Sequence, residues 1–255
     1  MKRIHWLYMG LLVGSLLMLT ACNLVTVVKE DAYTLDAGNL SSFMLDLDEG
    51  NVEITGSSDI NEIQVKATFQ TVGESEEEAE QFREQSTSLE LEKEGTVAHL
   101  LTRVNRADQA VEGRVHLEIL VPNGLSIELM QRAGELLLSG HVGDLKINHG
   151  SGPLQLHGIQ GNVEITDGAG RLNLTQMTGD IRINSNSGDT VIDDVIGNMS
   201  VITGSGNVDI TNIDGSLDIR SGTGEIEINS VTGDVTVLER GGEITIENVQ
   251  GTITQ

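Results

Sequence analysis

Cys22 is the residue whose type and position most clearly predict a chemical event. It ends the segment Leu19-Thr20-Ala21-Cys22, which matches a lipobox, and it follows an uncharged apolar stretch over residues 4–19. In a lipobox the cysteine thiol receives a diacylglycerol, and cleavage then exposes its amine for further acylation, so that two or three chains anchor the protein stably. We therefore predict a lipoprotein signal peptide over residues 1–22 and lipidation of Cys22.

The same stretch has an alternative interpretation as an uncleaved transmembrane anchor, because it approaches the roughly 18 residues that span a bilayer. Lipidation is favoured because Cys22 is the only cysteine and lies at the cleavage point. A single cysteine also excludes an intramolecular disulfide and a Cys-based zinc site. Asn23 follows, where Asp commonly retains Gram-negative lipoproteins in the inner membrane. We expect a lipid-anchored envelope protein, in the outer membrane of a Gram-negative cell or otherwise on the outer face of the plasma membrane.

Metal chemistry would need His, Asp or Glu side chains that meet at one place in the fold. His141, His149 and His157 recur eight residues apart, and Asp167 would stack beside His149. No consistent column of ligands accompanies them, so we interpret them as surface histidines and predict no metal site. A calcium-repeat rhythm, Gly204-Ser-Gly206-Asn-Val208-Asp209, occurs only once, so calcium-binding coils are not predicted.

Candidate catalytic groups are equally sparse. Asp193 and Asp194 form an acidic pair of the kind that a polysaccharide-cleaving enzyme uses, but they lie at a predicted corner with no matching Lys or Arg. We find no nucleophile motif, and no glycine-rich stretch leads to the lysine of a phosphate-binding loop. We therefore predict no catalytic residue, no cofactor and no enzymatic activity.

The composition restricts both the partners and the core. A net charge of −24 argues against nucleic acid as a partner, because phosphate binding needs clustered Lys and Arg. It also disfavours adsorption to an anionic membrane surface. Aromatic residues make up only 2% of the chain, which contains 30 glycines and two prolines. A core of Ile, Val and Leu without rings suits a thin, regularly layered fold.

A repeat must position these residues, and it is the strongest feature of the sequence. Glycines lie 18 residues apart from Gly143 to Gly251, and six complete repeats run from Gly143 to Gln250. Each repeat reads G-x-φ-x-φ-x-x-G-x-G-x-φ-x-φ-x-x-φ-x, where φ is apolar, and only Thr190 departs from the apolar positions. The φ-x-φ pairs have the period of a strand with one buried face. We predict an all-β fold, a single-stranded β-solenoid (β-helix) of 18-residue coils over residues 125–255.

The register predicts which residues align between coils. Glycine occupies positions 1 and 10 of every repeat, which predicts sharp corners. Position 4 points outward and holds Lys146, Glu164 and Arg182 in successive coils, which predicts a charge ladder on a solvated face. Stacking is required, because a single coil buries too little apolar surface to offset the cost of ordering its backbone.

The N-terminal half is less regular. We expect residues 23–40 to be a short tether and residues 41–124 to form a β cap over the first coil. The cap would include a short acidic helix within Glu74–Gln85. Residues 41–255 would together form one domain.

Residues Phe43–Gln255 resemble the putative-adhesin domain family, bacterial surface proteins built from β-strand repeats. The resemblance rests on the early Gly50–Gly56 element, the acidic insertion near Glu76, the Val121-Pro122-Asn123 turn and the later Gly-x-φ-x-φ copies. It implies the β fold and a surface location. It transfers no catalytic residue.

These observations favour a lipid-anchored envelope protein that acts without catalysis, as an adhesin-like surface binder or as a structural scaffold. Its partners would be the membrane, through the lipid anchor, and a protein or glycan. Gly251–Gln255 begins a seventh coil without a polar cap, an edge through which copies could self-associate. Two alternatives stay open: an envelope polysaccharide-active enzyme, and a regulatory or envelope-sensing subunit.

Overall fold

The computed structural model describes residues 24–105 and 112–255, which form a β-solenoid with one short helix. Two sheets of 11 strands face each other across one apolar core. The predicted fold class, a solenoid of 18-residue coils with a less regular N-terminal cap, is confirmed. Among the residues described, no helix is long and apolar enough to cross a bilayer.

The first sheet contains the strands β1 (Val25–Asp36), β3 (Val52–Ser57), β4 (Glu62–Gly73), β7 (Glu112–Pro122), β9 (Leu136–Ser139), β11 (Leu154–His157), β13 (Leu172–Thr178), β15 (Thr190–Ile196), β17 (Val208–Asp214), β19 (Ile226–Val231) and β21 (Ile244–Val249). Their spatial order is β1-β4-β7-β3-β9, followed by β11 to β21 in odd-numbered steps.

The second sheet contains the strands β2 (Ser42–Glu49), β5 (Thr87–Glu94), β6 (Val97–Val104), β8 (Ser126–Ala133), β10 (Leu145–Ser151), β12 (Val163–Ala169), β14 (Ile181–Ser187), β16 (Met199–Ser205), β18 (Leu217–Thr223), β20 (Val235–Glu239) and β22 (Ile253–Thr254). Their order is β5-β6-β2-β8, followed by β10 to β22 in even-numbered steps. The helix α1 (Glu76–Ser86) lies between β4 and β5 in the chain.

Successive coils stack in parallel with a shift of 18 residues. Leu145 of β10 lies opposite Val163 of β12, and Leu154 of β11 lies opposite Leu172 of β13. Repeat positions 3, 5, 12, 14 and 17 are buried in each of the first five repeats. The register predicted from the sequence is therefore that of the structure, since a slip of one residue would turn every apolar side chain outward.

The corners explain the invariant glycines. At position 1, Gly179 has a φ of +134° and a Cβ there would lie 2.3 Å from the Gly161 carbonyl oxygen. At position 10, Gly188 has a φ of +117° and a Cβ would lie 1.8 Å from the Gly170 oxygen. Any side chain would therefore collide with the backbone of the coil below. The predicted corners at positions 1 and 10 are confirmed.

A third corner lies at position 16, where the sequence predicted one only for the acidic pair at residues 193–194. Its backbone is left-handed in successive coils even where the residue is not glycine, with φ between 55° and 62°. Asn and Asp tolerate this conformation best, because their short polar side chains bond locally. The residues there vary too much to show a motif: Gln176, Asp194, Asn212, Ser230 and Asn248.

The N-terminal half contributes coils as well as a cap. β2 and β3 stack in parallel on β8 and β9, with Phe43 opposite Ile127 and Val52 opposite Leu136. β6 and β7 stack in parallel on the other side of β2 and β3. The chain thus makes an inner coil first, then builds the outer coil, and returns at β8 to the opposite side of the inner one.

An antiparallel layer closes this end of the stack. β4 pairs with β7, β1 pairs with β4 and β5 pairs with β6, all antiparallel. In α1, the Ser75 side chain accepts a hydrogen bond from the Glu78 N–H, and Ala79 and Phe82 are buried. The edge strands β1 and β5 are rich in charged residues, which discourages pairing with other chains.

The segment expected to be a tether, residues 23–40, is instead an edge strand over Val25–Asp36. Every residue of this strand lies opposite a residue of β4. Tyr33 and Leu35 pack against the core. The charged residues of the strand are accommodated because one of its edges and one of its faces meet solvent. The mixture of polar and apolar residues therefore did not indicate a linker here.

Candidate functional site

Cys22, the predicted lipidation site, lies outside the described residues, so its lipidation stays a prediction. Within residues 24–105 and 112–255, no group of three or more His, Cys, Asp or Glu side chains is arranged to hold a metal ion. The remaining candidates are the histidines, the acidic pair at residues 193–194 and the grooves on the outer faces of the sheets.

His141 is fully buried, so its interpretation as a surface histidine is wrong. It occupies position 17, an apolar position that holds Ile159 in the next coil. Its Nε2–H donates to the Leu125 carbonyl oxygen, 2.8 Å away. Burial lowers the pKa of His141 and outweighs that hydrogen bond, which acts in the opposite direction. The ring is therefore a neutral structural donor that has no access to a solvent-borne ligand.

His149 is also buried, and it forms a closed pair with Asp167. Its Nδ1 lies 2.7 Å from an Asp167 carboxylate oxygen and its Nε2 lies 3.0 Å from the Gly134 carbonyl oxygen. Because the carbonyl can only accept, Nε2 must donate, and one proton lies between Nδ1 and the Asp167 carboxyl group. The predicted stacking of Asp167 on His149 is confirmed, but both side chains are shielded from substrate. His157, by contrast, is exposed and bonds Thr175 of the next coil.

His149 and Asp167 belong to a polar column inside the core that sequence reasoning missed. Position 7 lies on the strands of the second sheet, and its side chain faces inward in successive coils. Several side-chain oxygens in this column have no hydrogen-bond partner among the described residues. The sequence contains a signal for this column, because the spacing of two between the inward positions 3 and 5 continues to position 7. The signal was overlooked because the residues at position 7 are polar. The buried members are Gln131, His149, Asp167, Ser185, Thr203 and Ser221.

The acidic pair is part of the scaffold. Asp194 forms a position-16 corner with a φ of +61°. One carboxylate oxygen of Asp193 accepts from the Thr211 hydroxyl and from the Asn212 side-chain amide, each at 2.8 Å. Asp193 thus joins its coil to the next one, and the predicted location of the pair at a corner is confirmed.

A groove of about 600 Å³ crosses the outer face of the second sheet near the capped end. It extends across five adjacent strands, from β5 through β6, β2 and β8 to β10. Its floor includes Met44, Leu101 and Met130, of which the two methionines are 38% and 53% exposed. Flexible thioether side chains of this kind adapt to apolar groups of different shapes.

The charges around this groove, which we call the methionine groove, are unevenly distributed. At the β5 end, Glu90 lies opposite Leu101 and Glu92 lies opposite His99. Neither glutamate forms an ion pair with another described residue. At the far end, the Lys146 ammonium lies 3.3 Å from a Glu128 carboxylate oxygen. The β5 end is therefore anionic and open to a cation.

The predicted charge ladder lies along the same face. Lys146, Glu164 and Arg182 are in register in successive strands. The ion pair formed within this column joins Lys146 to Glu128, one coil nearer the cap. A second groove of about 470 Å³ follows this column and shares Met44, Glu128 and Lys146 with the methionine groove, so the two grooves are continuous.

A family model described as Toastrack DUF4097 matches residues 40–254, which is most of the chain. Among curated proteins, none matches.

Several solved structures are similar in fold. A putative cell adhesion protein from Clostridium sporogenes shares 11% identity, with 87% of this chain and 99% of that chain covered and a TM-score of 0.35. A putative adhesin from Parabacteroides merdae shares 10% identity, covering 89% and 95%, with a TM-score of 0.33. A putative adhesin from Bacteroides fragilis shares 14%, covering 89% and 96%, with a TM-score of 0.29. Similarity at this level says nothing about what this chain binds.

Proposed function

The chain belongs to the Toastrack DUF4097 family, and from this premise we propose that it is a lipid-anchored envelope protein that acts by binding a partner, without catalysis. The observation that supports this function is the methionine groove, where exposed apolar side chains lie beside unpaired carboxylates. Large exposed apolar side chains with a polar rim are typical of interaction sites.

The engagement of the reactive side chains supports a non-catalytic role. His141 and His149 are shielded inside the core, and Asp193 holds two groups of the next coil. A general acid or base must reach the proton that it transfers. These side chains instead stabilise the stack.

The lipid anchor would place the capped end of the solenoid at the membrane. Only Asn23 and Leu24 separate Cys22 from β1. Three fully extended steps of chain span at most about 11 Å. With Cys22 acylated, β1 and the neighbouring methionine groove would therefore lie close to the bilayer surface, where they meet other envelope proteins.

We further propose that copies of the chain associate through the last coil. Ile244 and Ile246 are only half-buried there, and Ile253 is 47% exposed. Sedimentation velocity over a range of protein concentrations tests this association. A species heavier than the monomer that Ile253→Lys abolishes is the expected result, whereas a monomer at every concentration would exclude it.

Site-specific photocrosslinking in intact cells tests the binding function. A photoreactive residue at Met130 should capture a partner, whereas one at Ile202, which is exposed in the same outward column four coils away, should not. Cys22→Ser should release the protein from the membrane fraction. If probes at both positions, and along the second groove, recover only the uncrosslinked monomer, the binding function is wrong.

A further inference from the structure

The methionine groove is acidic at its β5 end and apolar along its floor, and this difference specifies its ligand. Resting on the proposed binding function, we infer that it binds a short extended segment of a partner protein with basic residues at one end and aliphatic residues next to them. The basic end lies over Glu90 and Glu92 of β5, and the aliphatic side chains lie over the methionine floor.

The acidic end is defined by carboxylates that form no direct ion pair. Four carboxylates line the groove. Arg103 forms an ion pair with Asp46 and its charge also acts on Glu90, and Lys146 forms an ion pair with Glu128. Among the described residues, Glu90 and Glu92 form no direct ion pair, so the three carboxylates at this end outnumber its one guanidinium. Both glutamates are exposed and lie two residues apart on an edge strand, so their side chains share one face. A pair of Lys or Arg side chains complements them, and the net charge of −24 steers such a ligand toward the protein.

The floor selects aliphatic side chains. It includes Met44, Met130 and Leu101, and no Phe, Tyr or Trp is among the residues that line the groove. Methionine adapts its shape to apolar partners. A protein segment that presents Leu, Ile or Met side chains matches this floor better than a glycan, whose hydroxyl groups would lie over the thioether and methyl groups of Met44, Met130 and Leu101.

The length of the ligand follows from the sheet. The groove crosses five strands, from β5 to β10, and four inter-strand spacings of about 4.8 Å give about 19 Å. An extended chain covers this distance with about six residues at roughly 3.3 Å each. Two basic residues would lie at the β5 end, and the two alternate side chains that follow would lie over the floor between β6 and β8.

The test uses labelled six-residue peptides and fluorescence anisotropy with the soluble Cys22→Ser protein. The first peptide has two lysines followed by alternating serine and leucine. The second has glutamates in place of the lysines, and the third has serines in place of the leucines. We expect the first peptide to bind and the other two to bind at least about tenfold more weakly, because each lacks one of the two complementary features.

Two matched pairs of variants locate the site. Glu90→Lys with Glu92→Lys should weaken binding of the first peptide by at least about tenfold, whereas Glu225→Lys with Glu227→Lys changes the net charge equally on the opposite sheet and should leave it unaffected. Met130→Ser should weaken binding, and Ile202→Ser in the same outward column should not. All six positions are exposed, and urea unfolding of each variant verifies that it folds.

The outcomes separate this inference from the proposed function. Equal weakening by both charge-reversal variants would mean non-specific attraction and overturn the inference. Tight binding of the glutamate peptide, or no binding of any peptide while a crosslinked partner is recovered at Met130, would also overturn it and leave the binding function intact. Failure of the crosslinking together with binding of the lysine peptide would count against the proposed function alone.

Discussion

The regular coils after Gly143 and the irregular coils before it share two sheets and one core, yet their outer faces differ. In the regular part, each strand stacks on a copy of itself, so each outward column continues unchanged in direction from coil to coil. In the irregular part, β5 and β6 form an antiparallel pair beside β2, and the methionine groove lies at this junction. A further groove of about 510 Å³ lies among β1, β4, β7 and β3, at the corresponding junction of the first sheet. The second groove continues from this junction along the first regular coils. Repetition thus builds the scaffold, and the grooves of about 600 and 510 Å³ lie where the repetition is interrupted.

The largest expected difference between the two regions concerns glycine corners. Gly188→Ala in a regular coil should lower the free energy of unfolding by about 3–5 kcal/mol, because the new Cβ would lie 1.8 Å from a backbone oxygen. Gly95→Ala in the β5–β6 hairpin should cost only about 1–2 kcal/mol, since its φ of +61° is strained for alanine but the space is open. Urea unfolding of both variants measures this difference. Equal losses would mean that the coils can separate locally.

Three isoleucines in one inward column allow the packing of the core to be compared between the two regions. Ile54 and Ile192 are fully buried, whereas Ile246 in the last coil is half-buried. Ile54→Ala and Ile192→Ala should each cost about 2–4 kcal/mol, and Ile246→Ala should cost clearly less. A small loss for Ile54→Ala would show that the inner N-terminal coil is not an integral part of the stack.

The contribution of histidines to the pH dependence of stability comes from residues 1–157, because residues 158–255 contain no histidine. Burial lowers the pKa of His141, and burial with the nearby Arg114 lowers that of His116. The unfolded chain takes up these protons at a pH near 6.5. The stability from the neutral rings is therefore complete above that pH and is lost as the pH falls through the lowered folded-state pKa, with a slope of at most about 1.4 kcal/mol per pH unit and histidine.

His141→Met isolates this effect, since Met177 occupies the same column in a later coil. We expect the difference in urea midpoint between pH 7.5 and pH 5.5 to become smaller in this variant. His157→Met, which changes an exposed histidine, serves as the control and should behave like the native protein. An unchanged pH dependence in both variants would mean that His141 can be protonated inside the fold.

The smallest expected effects lie at the acidic corner. Asp193→Ala should cost about 1 kcal/mol, because two hydrogen bonds to the next coil are lost. Asp194→Asn should be nearly neutral, since Asn212 already forms the same left-handed corner one coil later. The midpoints of thermal unfolding of the two variants measure this difference in stability. A loss of activity on a glycan from either change would instead revive the enzymatic alternative.

The repeat made much of the scaffold predictable. The spacing of Gly143 and Gly161 located the corners, and pairs such as Leu145 and Ile147 identified the inward positions. Position 7 was missed because its polar residues, among them His149, are usually found at surfaces. The methionine groove was missed because Met44, Leu101 and Met130 lie far apart in the chain, and no local pattern brings them together.

The sequence by itself determined the coil, its register and the residues that face inward after Gly143. It could do so because each neighbour in the stack lies 18 residues away, so that a long-range contact is written as a local period. Only the tertiary structure decided that Phe43 stacks on Ile127, that residues 25–36 form an edge strand and that unpaired carboxylates border an apolar floor. Those contacts join unlike segments, and their pairing is chosen by burial across the whole core.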